Sequence, residues 1–250
     1  MAGHLERWTI PLRALARRSL HVLLPCACAL CGEPAAAVVC APCRARYAAP
    51  QGLRCACCAN PLGPGASAGQ RCGACLAAPP AFDATLAAVD YAAPLDTLVL
   101  GLKFGARLPL APWFAELLHQ SILAQDGWPL PDVLCPVPLG PRRLVERGFN
   151  QALEIARPLA TSLGVALQPR LAARVLETAA QSGVSPRERA ANIRGAFALP
   201  SATAHLVQGR HVGVVDDVMT SGHTLNELAA TLKAAGAARV SNLVFARTLP

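Results

Sequence analysis

From residue 83 onward, short apolar runs alternate with segments in which apolar residues recur at helical spacing. The apolar runs predict four strands, at 85–91, 133–137, 211–215 and 240–246. The helical spacing predicts four helices, at 95–104, 110–123, 150–163 (bent at Pro158) and 225–235. This alternation is typical of an α/β domain with an open parallel sheet and helices on both faces. In such a domain the ligand site lies at the carboxyl ends of the strands.

Over residues 25–77 the pattern is different, because cysteines are frequent and large apolar residues are few. Of the 11 cysteines, ten fall within 26–75. Eight of them form Cys-x-x-Cys pairs: Cys28 and Cys31, Cys40 and Cys43, Cys55 and Cys58, and Cys72 and Cys75. This spacing lets two thiolates reach one tetrahedral Zn²⁺, so the segment predicts two structural zinc sites without an open catalytic position. Pairing in sequence order is the simplest arrangement, and a crossed arrangement stays open.

The remaining cysteines have simpler interpretations. Cys26 and Cys57 fall outside the spacing and are interpreted as spare thiols, with a role as alternative ligands left open. Cys135 lies in an apolar strand and is expected to be a small core residue. A redox or disulfide cluster is the rival to zinc, and it is disfavoured in the cytoplasmic protein that we expect.

These patterns divide the chain into three parts. We expect a basic amphipathic segment over 1–24, a double zinc ribbon over 25–77 and an α/β domain over 83–250, with Pro79 and Pro80 in the linker. The helix expected over 5–24 imitates a signal peptide but meets Pro25 instead of a small-residue cleavage site. No apolar run is long enough to span a bilayer. The formal net charge of +8 permits nucleic-acid binding, although aromatic residues make up only 4% of the chain.

The strongest candidate for chemistry follows the strand at 211–215. Asp216 and Asp217 stand at its carboxyl end, and a loop rich in hydroxyls then opens a helix. The loop residues are Thr220, Ser221, Gly222, His223 and Thr224. Backbone N–H groups at a helix N-terminus bind a phosphate, whereas carboxylates bind hydroxyls or hydrated Mg²⁺. The combination predicts a phosphorylated ribose as ligand. The alternative is a solvated turn followed by a capped helix.

Two further polar segments carry arginines. Arg142, Arg143 and Arg147 follow the strand at 133–137 and could hold a pyrophosphate, although loop arginines are often only solvated. The stretch 178–197 is long and charged, and it predicts either a mobile lid or a surface loop.

Several motifs resemble those of known families. The segment VVDDVMTSGHTL at 214–225 resembles the phosphoribosyl pyrophosphate (PRPP) signature of type I phosphoribosyltransferases. With the cysteine ribbon, the Lys103-Phe104-Gly105 tripeptide, PVPL…RR…RGFNQ at 136–151 and T…Q…R…N…GAF at 178–197, the chain resembles the ComF family. That family includes ComFC-like competence proteins and GntX-like proteins. The resemblance covers residues 24–248, and Ser221 stands where a threonine is frequent.

The resemblance implies roles for the candidate residues. Asp216 and Asp217 would hold the ribose hydroxyls, and the loop 220–224 would hold the 5-phosphate. Arg142, Arg143 and Arg147 would face the pyrophosphate, with Lys103 assisting and Mg²⁺ present. The implied activity is transfer of phosphoribose to an unknown acceptor, in competence or uptake of transforming DNA. Two alternatives stay open: a non-catalytic adaptor for single-stranded DNA that works with the uptake machinery, and a regulator that senses PRPP.

Overall fold

A computed structural model describes residues 26–49, 52–176 and 193–249. The chain forms two compact units, which divide between Tyr47 and Ala48. This division falls between the two groups of cysteines, whereas the sequence analysis placed both groups in one ribbon over 25–77. The helix expected over 5–24 lies outside the described residues, as does most of the polar stretch 178–197.

The first unit is built around the first group of cysteines. Two short strands, β1 (Cys26–Ala27) and β2 (Pro34–Ala35), pair antiparallel, and a helix, α1 (Ala41–Tyr47), follows them. The turn between the strands carries the first cysteine pair, and the start of α1 carries the second. The four thiols therefore come from two separate turns of the chain.

The second unit contains a five-stranded parallel sheet. The strands of this unit, five of which form that sheet, are β3 (Ala84–Asp90), β4 (Val133–Pro136), β5 (Ala166–Leu167), β6 (Ala173–Arg174), β7 (Phe197–Ala198), β8 (His211–Met219) and β9 (Arg239–Arg247). Its helices are α2 (Gly73–Ala77), α3 (Leu95–Gly105), α4 (Leu110–Leu123), α5 (Pro141–Arg147), α6 (Gln151–Leu163), α7 (Ser201–Ala204) and α8 (His223–Ala234). The sheet order is β3-β9-β8-β4-β5, and β6 and β7 form a separate antiparallel pair.

The topology of the sheet locates the site. The chain passes from β4 through α6 to β5 in one direction along the sheet, and from β8 through α8 to β9 in the other. Because parallel crossovers are right-handed, α6 and α8 cover opposite faces. The direction of winding changes between β4 and β8, and a crevice opens outside the carboxyl ends of the strands at such a point. The expected fold class, an open parallel sheet with helices on both faces, is confirmed.

Most predicted elements lie within two residues of the observed ones, but two differ. The helix α5 occupies a segment that the sequence analysis treated as a loop; Gly140 and Pro141 start it, and Gly148 ends it in the left-handed region. The strand β8 continues four residues beyond its predicted end, because it stays paired with β9 as far as Met219 and Arg247. Among the described residues, no helix is long and apolar enough to cross a membrane.

The core lies between the sheet and its helices. Phe114 of α4 stacks on Phe245 of β9 with 3.6 Å between ring centroids, and both side chains are fully buried. Cys135 is also fully buried in β4, which confirms its expected role as a small core residue. At Gly213 in β8, an added Cβ would lie 2.6 Å from a methyl group of Leu134, so the close packing of β8 on β4 requires glycine here.

Candidate functional site

The acid pair, Asp216 and Asp217, lies on the part of β8 that extends past the end of β4. Pairing between β4 and β8 ends at Pro136 and Val215, and the next two residues of β8 are Asp216 and Asp217. On the other side, β9 still pairs with this part of β8. The two carboxylates are therefore held on a rigid strand at the edge of the crevice between β4 and β8.

Asp217 is the more buried member of the pair, and its side chain has two partners. It is only 2% exposed, and Lys103 Nζ lies 2.7 Å from its Oδ2. Gln151 Nε2 donates to its Oδ1 over 3.3 Å. Lys103 comes from the last turn of α3, which Ala106 ends in the left-handed region, and Gln151 is the first residue of α6. The ammonium and the amide together balance a buried negative charge.

Asp216 stands next to this ion pair, and no cation of the described residues forms an ion pair with it. Burial and the neighbouring Asp217 carboxylate raise the pKa of Asp216 well above 3.8, and Lys103 opposes the shift. Its Oδ1 accepts a hydrogen bond from the backbone N–H of Asp217 over 2.9 Å. The acid pair therefore carries more negative potential than Lys103 compensates, which favours a further cation or hydroxyl donors at this point.

The loop after β8 has the geometry of an anion site. Gly222 has φ of +80° and precedes the first turn of α8, where the N–H groups of the helix start are free of helical partners. An added Cβ on Gly222 would lie 2.6 Å from the methyl carbon of Met219, so the turn requires glycine. Ser221 Oγ lies 3.1 Å from His223 Nδ1. Hydroxyls and helix N–H groups thus converge beside the acid pair.

The arginines separate into two groups on α5. Arg143 and Arg147 are one turn apart and both line the crevice, whereas Arg142 lies outside it and its Nε donates to Glu146 over 2.8 Å. Arg147 donates to Gln151 Oε1, and its guanidinium lies 5.4 Å from the centroid of the Phe104 ring. Burial lowers the pKa of Arg147, but its guanidinium remains protonated at neutral pH, as arginines in proteins do.

These elements enclose a cleft of about 700 Å³, large enough for a sugar bisphosphate. The candidates that line it are Lys103, Arg143, Arg147, Asp216, Asp217, Thr220 and Thr224. Ser221, Gly222 and His223 belong to the same loop but do not line the cleft. The structure therefore brings residues from α3, α5, β8 and α8 into one site, although they are up to 121 positions apart in the sequence.

Three charged or amide side chains of this site had no predicted role: Glu146, Gln151 and Arg174. Gln151 links Arg147 to Asp217, and Glu146 and Arg174 line the cleft. The sequence did mark Gln151, since it ends the RGFNQ motif. Asn150 fixes the start of α6, where Gln151 lies, because its side chain accepts from the N–H of Ala152 and donates to Val137 O. No sequence pattern marked Arg174, because the short β6–β7 pair that brings it to the cleft has no periodic pattern.

The cysteines form two groups of four, and the pairing follows sequence order. Their sulfur atoms lie within 4.8 Å of one another in each group, and the groups are Cys28, Cys31, Cys40 and Cys43, and Cys55, Cys58, Cys72 and Cys75. Sulfur atoms of two different pairs approach to 3.7 Å in the first group and 3.6 Å in the second. Bonds of about 2.3 Å to a tetrahedral zinc place two sulfurs about 3.8 Å apart. Both groups therefore fit a structural Zn²⁺, and crossed pairing is excluded.

Backbone donors favour one thiolate in each group. Burial opposes ionisation of Cys28, but N–H groups of Cys31, Cys40 and Leu30 lower its pKa to about 6. In the second group, burial is likewise outweighed at Cys55, where backbone N–H groups lower the pKa to about 7. Thiolates supplied with N–H donors are the form that binds zinc. Neither Cys26 nor Cys57 belongs to a group, in agreement with their interpretation as spare thiols.

Comparison with known proteins identifies a matching domain family and several related proteins. Residues 150–248 match the family described as phosphoribosyl transferase domain. DNA utilization protein YhgH of Salmonella typhi is 42% identical over 181 residues, which cover 71% of this chain and 78% of the relative. Competence protein F of Haemophilus influenzae is 32% identical over 170 residues, covering 67% of this chain and 74% of the relative.

Solved structures show only a distant likeness. Glutamine PRPP amidotransferase from B. subtilis, complexed with ADP and GMP, has a TM-score of 0.34 at 19% identity; the match covers 53% of this chain and 25% of that one. A hypoxanthine phosphoribosyl transferase of Trypanosoma cruzi has a TM-score of 0.32 at 16% identity, with 54% of this chain and 60% of that one covered. The family rests instead on the sequence relatives and on the two cysteine groups. With its phosphoribosyl transferase domain and its four-cysteine groups, the chain belongs to the ComF family, together with YhgH and competence protein F.

Proposed function

We propose that this protein binds PRPP with Mg²⁺ in the cleft between β4 and β8 and transfers its phosphoribosyl group to an acceptor. One observation carries the proposal. The acid pair of β8, Thr220 and Thr224 of the hydroxyl loop that follows it, and the cations of α3 and α5 line a single cleft. A ligand with a phosphate, a vicinal diol and a pyrophosphate matches these three sets of groups.

The charges of the cleft support a polyanionic ligand. Among the described residues, four cationic side chains line it against three carboxylates: Lys103, Arg143, Arg147 and Arg174 against Glu146, Asp216 and Asp217. The carboxylates would repel a bare polyphosphate, but the acid pair suits ribose hydroxyls and a hydrated divalent cation. The 5-phosphate would take the N–H groups at the start of α8 and the hydroxyls of Thr220 and Thr224.

The acid pair also fits the magnesium ion expected with PRPP. Lys103 already brings one positive charge to Asp217, and within the part of the chain that the structure describes Asp216 forms no ion pair. Asp216 and Asp217 would therefore hold the ion through their carboxylate oxygens or its water ligands. When bound, Mg²⁺ neutralises the charge that develops on the departing pyrophosphate. Arg143 and Arg147, which line the same cleft, would stabilise that charge as well.

In the proposed transfer, the bond between the anomeric carbon and the pyrophosphate oxygen breaks, and pyrophosphate leaves with the electron pair. A lone pair of the acceptor forms the new bond to that carbon, and the acceptor loses its proton to a base or to solvent. The side chains described here bind the two ends of PRPP and so align the anomeric carbon for attack. Among the described residues, Glu146 is the only carboxylate lining the cleft outside the acid pair.

The names of the relatives suggest the cellular process in which this activity would take part. YhgH is named for DNA utilization and its Haemophilus relative for competence. We place this protein in the handling of transforming DNA on that ground. The same names and the net charge of +8 favour, as a second candidate, an adaptor that binds single-stranded DNA and works with the uptake machinery without chemistry. A PRPP-sensing regulator would use the same cleft and would bind PRPP without releasing pyrophosphate.

Calorimetric titration of Mg²⁺-PRPP into the zinc-loaded protein tests the proposal. The wild type is expected to bind, and the double variant Asp216→Asn/Asp217→Asn is expected to lose binding. Arg142→Gln is the control for removal of a charge outside the cleft, because Arg142 does not line it. Absence of binding by the folded wild type would refute the enzyme and the sensor together. Fluorescence anisotropy with labelled single strands at several salt concentrations would then test the adaptor.

A further inference from the structure

Arg247, the last residue of β9, connects two parts of the second unit that the sequence separates widely. Its side chain is only 7% exposed. Nε donates to the carbonyl of Cys58 over 3.0 Å. Nη1 donates to the carbonyls of Met219, at 3.1 Å, and of Thr220. It also donates to Thr248, at 2.9 Å to the carbonyl and 3.1 Å to the hydroxyl.

The partners at the two ends of the guanidinium belong to different sites. Cys58 is a member of the second cysteine group, whereas Met219 ends β8 and Thr220 begins the hydroxyl loop. Hydrogen bonds from a cation to carbonyls are stronger than those between neutral groups, and they resist displacement when buried. Arg247 therefore fixes the backbone at the point where the chain leaves β8 and turns toward α8.

A second arginine strengthens the connection. Arg54 Nη2 lies 2.7 Å from Asp90 Oδ1 at the carboxyl end of β3, and Arg54 Nη1 donates to Ala59 O over 3.0 Å. Ala59 directly follows Cys58. The loop of the second cysteine group is thus attached to the carboxyl edge of the sheet at two strands, β3 and β9.

We propose that Arg247 is a positioning residue for the hydroxyl loop, and that through Cys58 it makes anion binding in the cleft depend on the metal in the second cysteine group. The inference rests on the proposed function for the identity of the anion. With metal bound, the cysteine loop holds the Cys58 carbonyl in place for Arg247. Without metal, the four sulfurs are no longer held by a common ion, and the Cys58 carbonyl loses its fixed position. The hydroxyl loop then loses one of the contacts that constrain it.

Hydrogen exchange at the loop, measured on the full chain without PRPP, tests the positioning role. The variant Arg247→Lys keeps the charge, but a single ammonium cannot replace a planar guanidinium that donates to acceptors on both sides. The amides of Asn226 and Thr248 report on the loop, because they donate to the carbonyls of Gly222 and Met219. We expect their exchange (loop exchange) to accelerate by about tenfold, as the loss of a charged hydrogen bond implies. The amides of α4 serve as the internal control, because they report global unfolding. Unchanged loop exchange, or equal acceleration in α4, would overturn the proposal.

Two matched cysteine variants test the metal dependence. Cys72→Ser and Cys40→Ser each alter the third, half-buried cysteine of a group, whose N–H donates to the first sulfur of that group. Zinc content is measured for both. We expect loop exchange to rise more in Cys72→Ser than in Cys40→Ser by about tenfold, and the affinity for Mg²⁺-PRPP to follow the same order. Equal effects of the two variants would contradict the coupling.

Failure of the inference is distinguishable from failure of the proposed function. The exchange measurement requires no ligand, so it tests Arg247 even when the wild type does not bind PRPP. Conversely, PRPP binding that survives Arg247→Lys together with unchanged exchange would overturn the inference and leave the proposed function intact. If Cys72→Ser does not fold, Arg247→Lys still tests the positioning role without altering a cysteine.

Discussion

The ion pair between Lys103 and Asp217 allows a stability contribution of the cleft to be predicted. The two charged atoms are 2.7 Å apart, and the carboxylate is almost fully buried while the lysine is 24% exposed. At an effective dielectric constant of about 20, Coulomb attraction at this distance amounts to about 6 kcal/mol. Desolvation and side-chain entropy offset much of this attraction. Removing one partner of a buried pair costs about 3–5 kcal/mol, whereas exposed pairs contribute about 0.2–1 kcal/mol.

The pair lies between these limits, because one partner is buried and the other is partly exposed. We expect Lys103→Met to lower the free energy of unfolding by about 2–3 kcal/mol, since it leaves Asp217 with only the Gln151 amide. We expect Asp217→Asn to cost less, because Lys103 can turn toward solvent. The coupling energy between the two residues should be about 2 kcal/mol.

Urea unfolding of four proteins measures this coupling: the wild type, Lys103→Met, Asp217→Asn and the double variant. Circular dichroism and intrinsic fluorescence should report the same transition, so that a two-state analysis is valid. A coupling energy below about 0.5 kcal/mol would refute the reasoning, because the free-energy changes of two residues that do not interact add to within that amount.

Three further predictions address other parts of the structure. Because burial and the Asp217 carboxylate raise the pKa of Asp216, the unfolded chain releases this proton at lower pH than the folded chain; the stability of the wild type in urea, relative to that of Asp216→Asn, should therefore fall as pH rises above 3.8. Gly222→Ala should cost about 1–2 kcal/mol in urea unfolding, through its positive φ and the contact with Met219. It should also weaken Mg²⁺-PRPP binding about tenfold by calorimetry. Phe245→Ala should destabilise the core by about 3–5 kcal/mol in the same unfolding assay, because Phe114 loses its stacking partner. Normal stability of these variants would contradict the corresponding structural argument.

The sequence predicts those parts of the fold and site that depend on local patterns. The segment 211–225 contains a buried strand, an acid pair and a loop with glycine in consecutive order, and each of these has a local physical cause. The grouping of cysteines follows in the same way from their spacing, although the exclusion of crossed pairing required distances between sulfurs.

The remainder depends on contacts between distant segments. Periodicity suggested that β8 ends where the acidic residues begin, but its pairing with β9 continues to Met219. The contact of Gln151 with Asp217 spans 66 positions, and that of Arg247 with Cys58 spans 189. No local pattern marks Arg247 as different from any other arginine at the end of a strand. Its role becomes visible only when the carbonyls around its guanidinium are identified.

A crystal structure of the zinc-loaded protein with Mg²⁺-PRPP tests the central claim most directly. The account predicts the 5-phosphate on the N–H groups at the start of α8, with the ribose hydroxyls or the metal at Asp216 and Asp217. It predicts the pyrophosphate beside Lys103, Arg143 and Arg147. PRPP bound outside the cleft between β4 and β8, or bound in it with the acid pair uninvolved, would contradict the account.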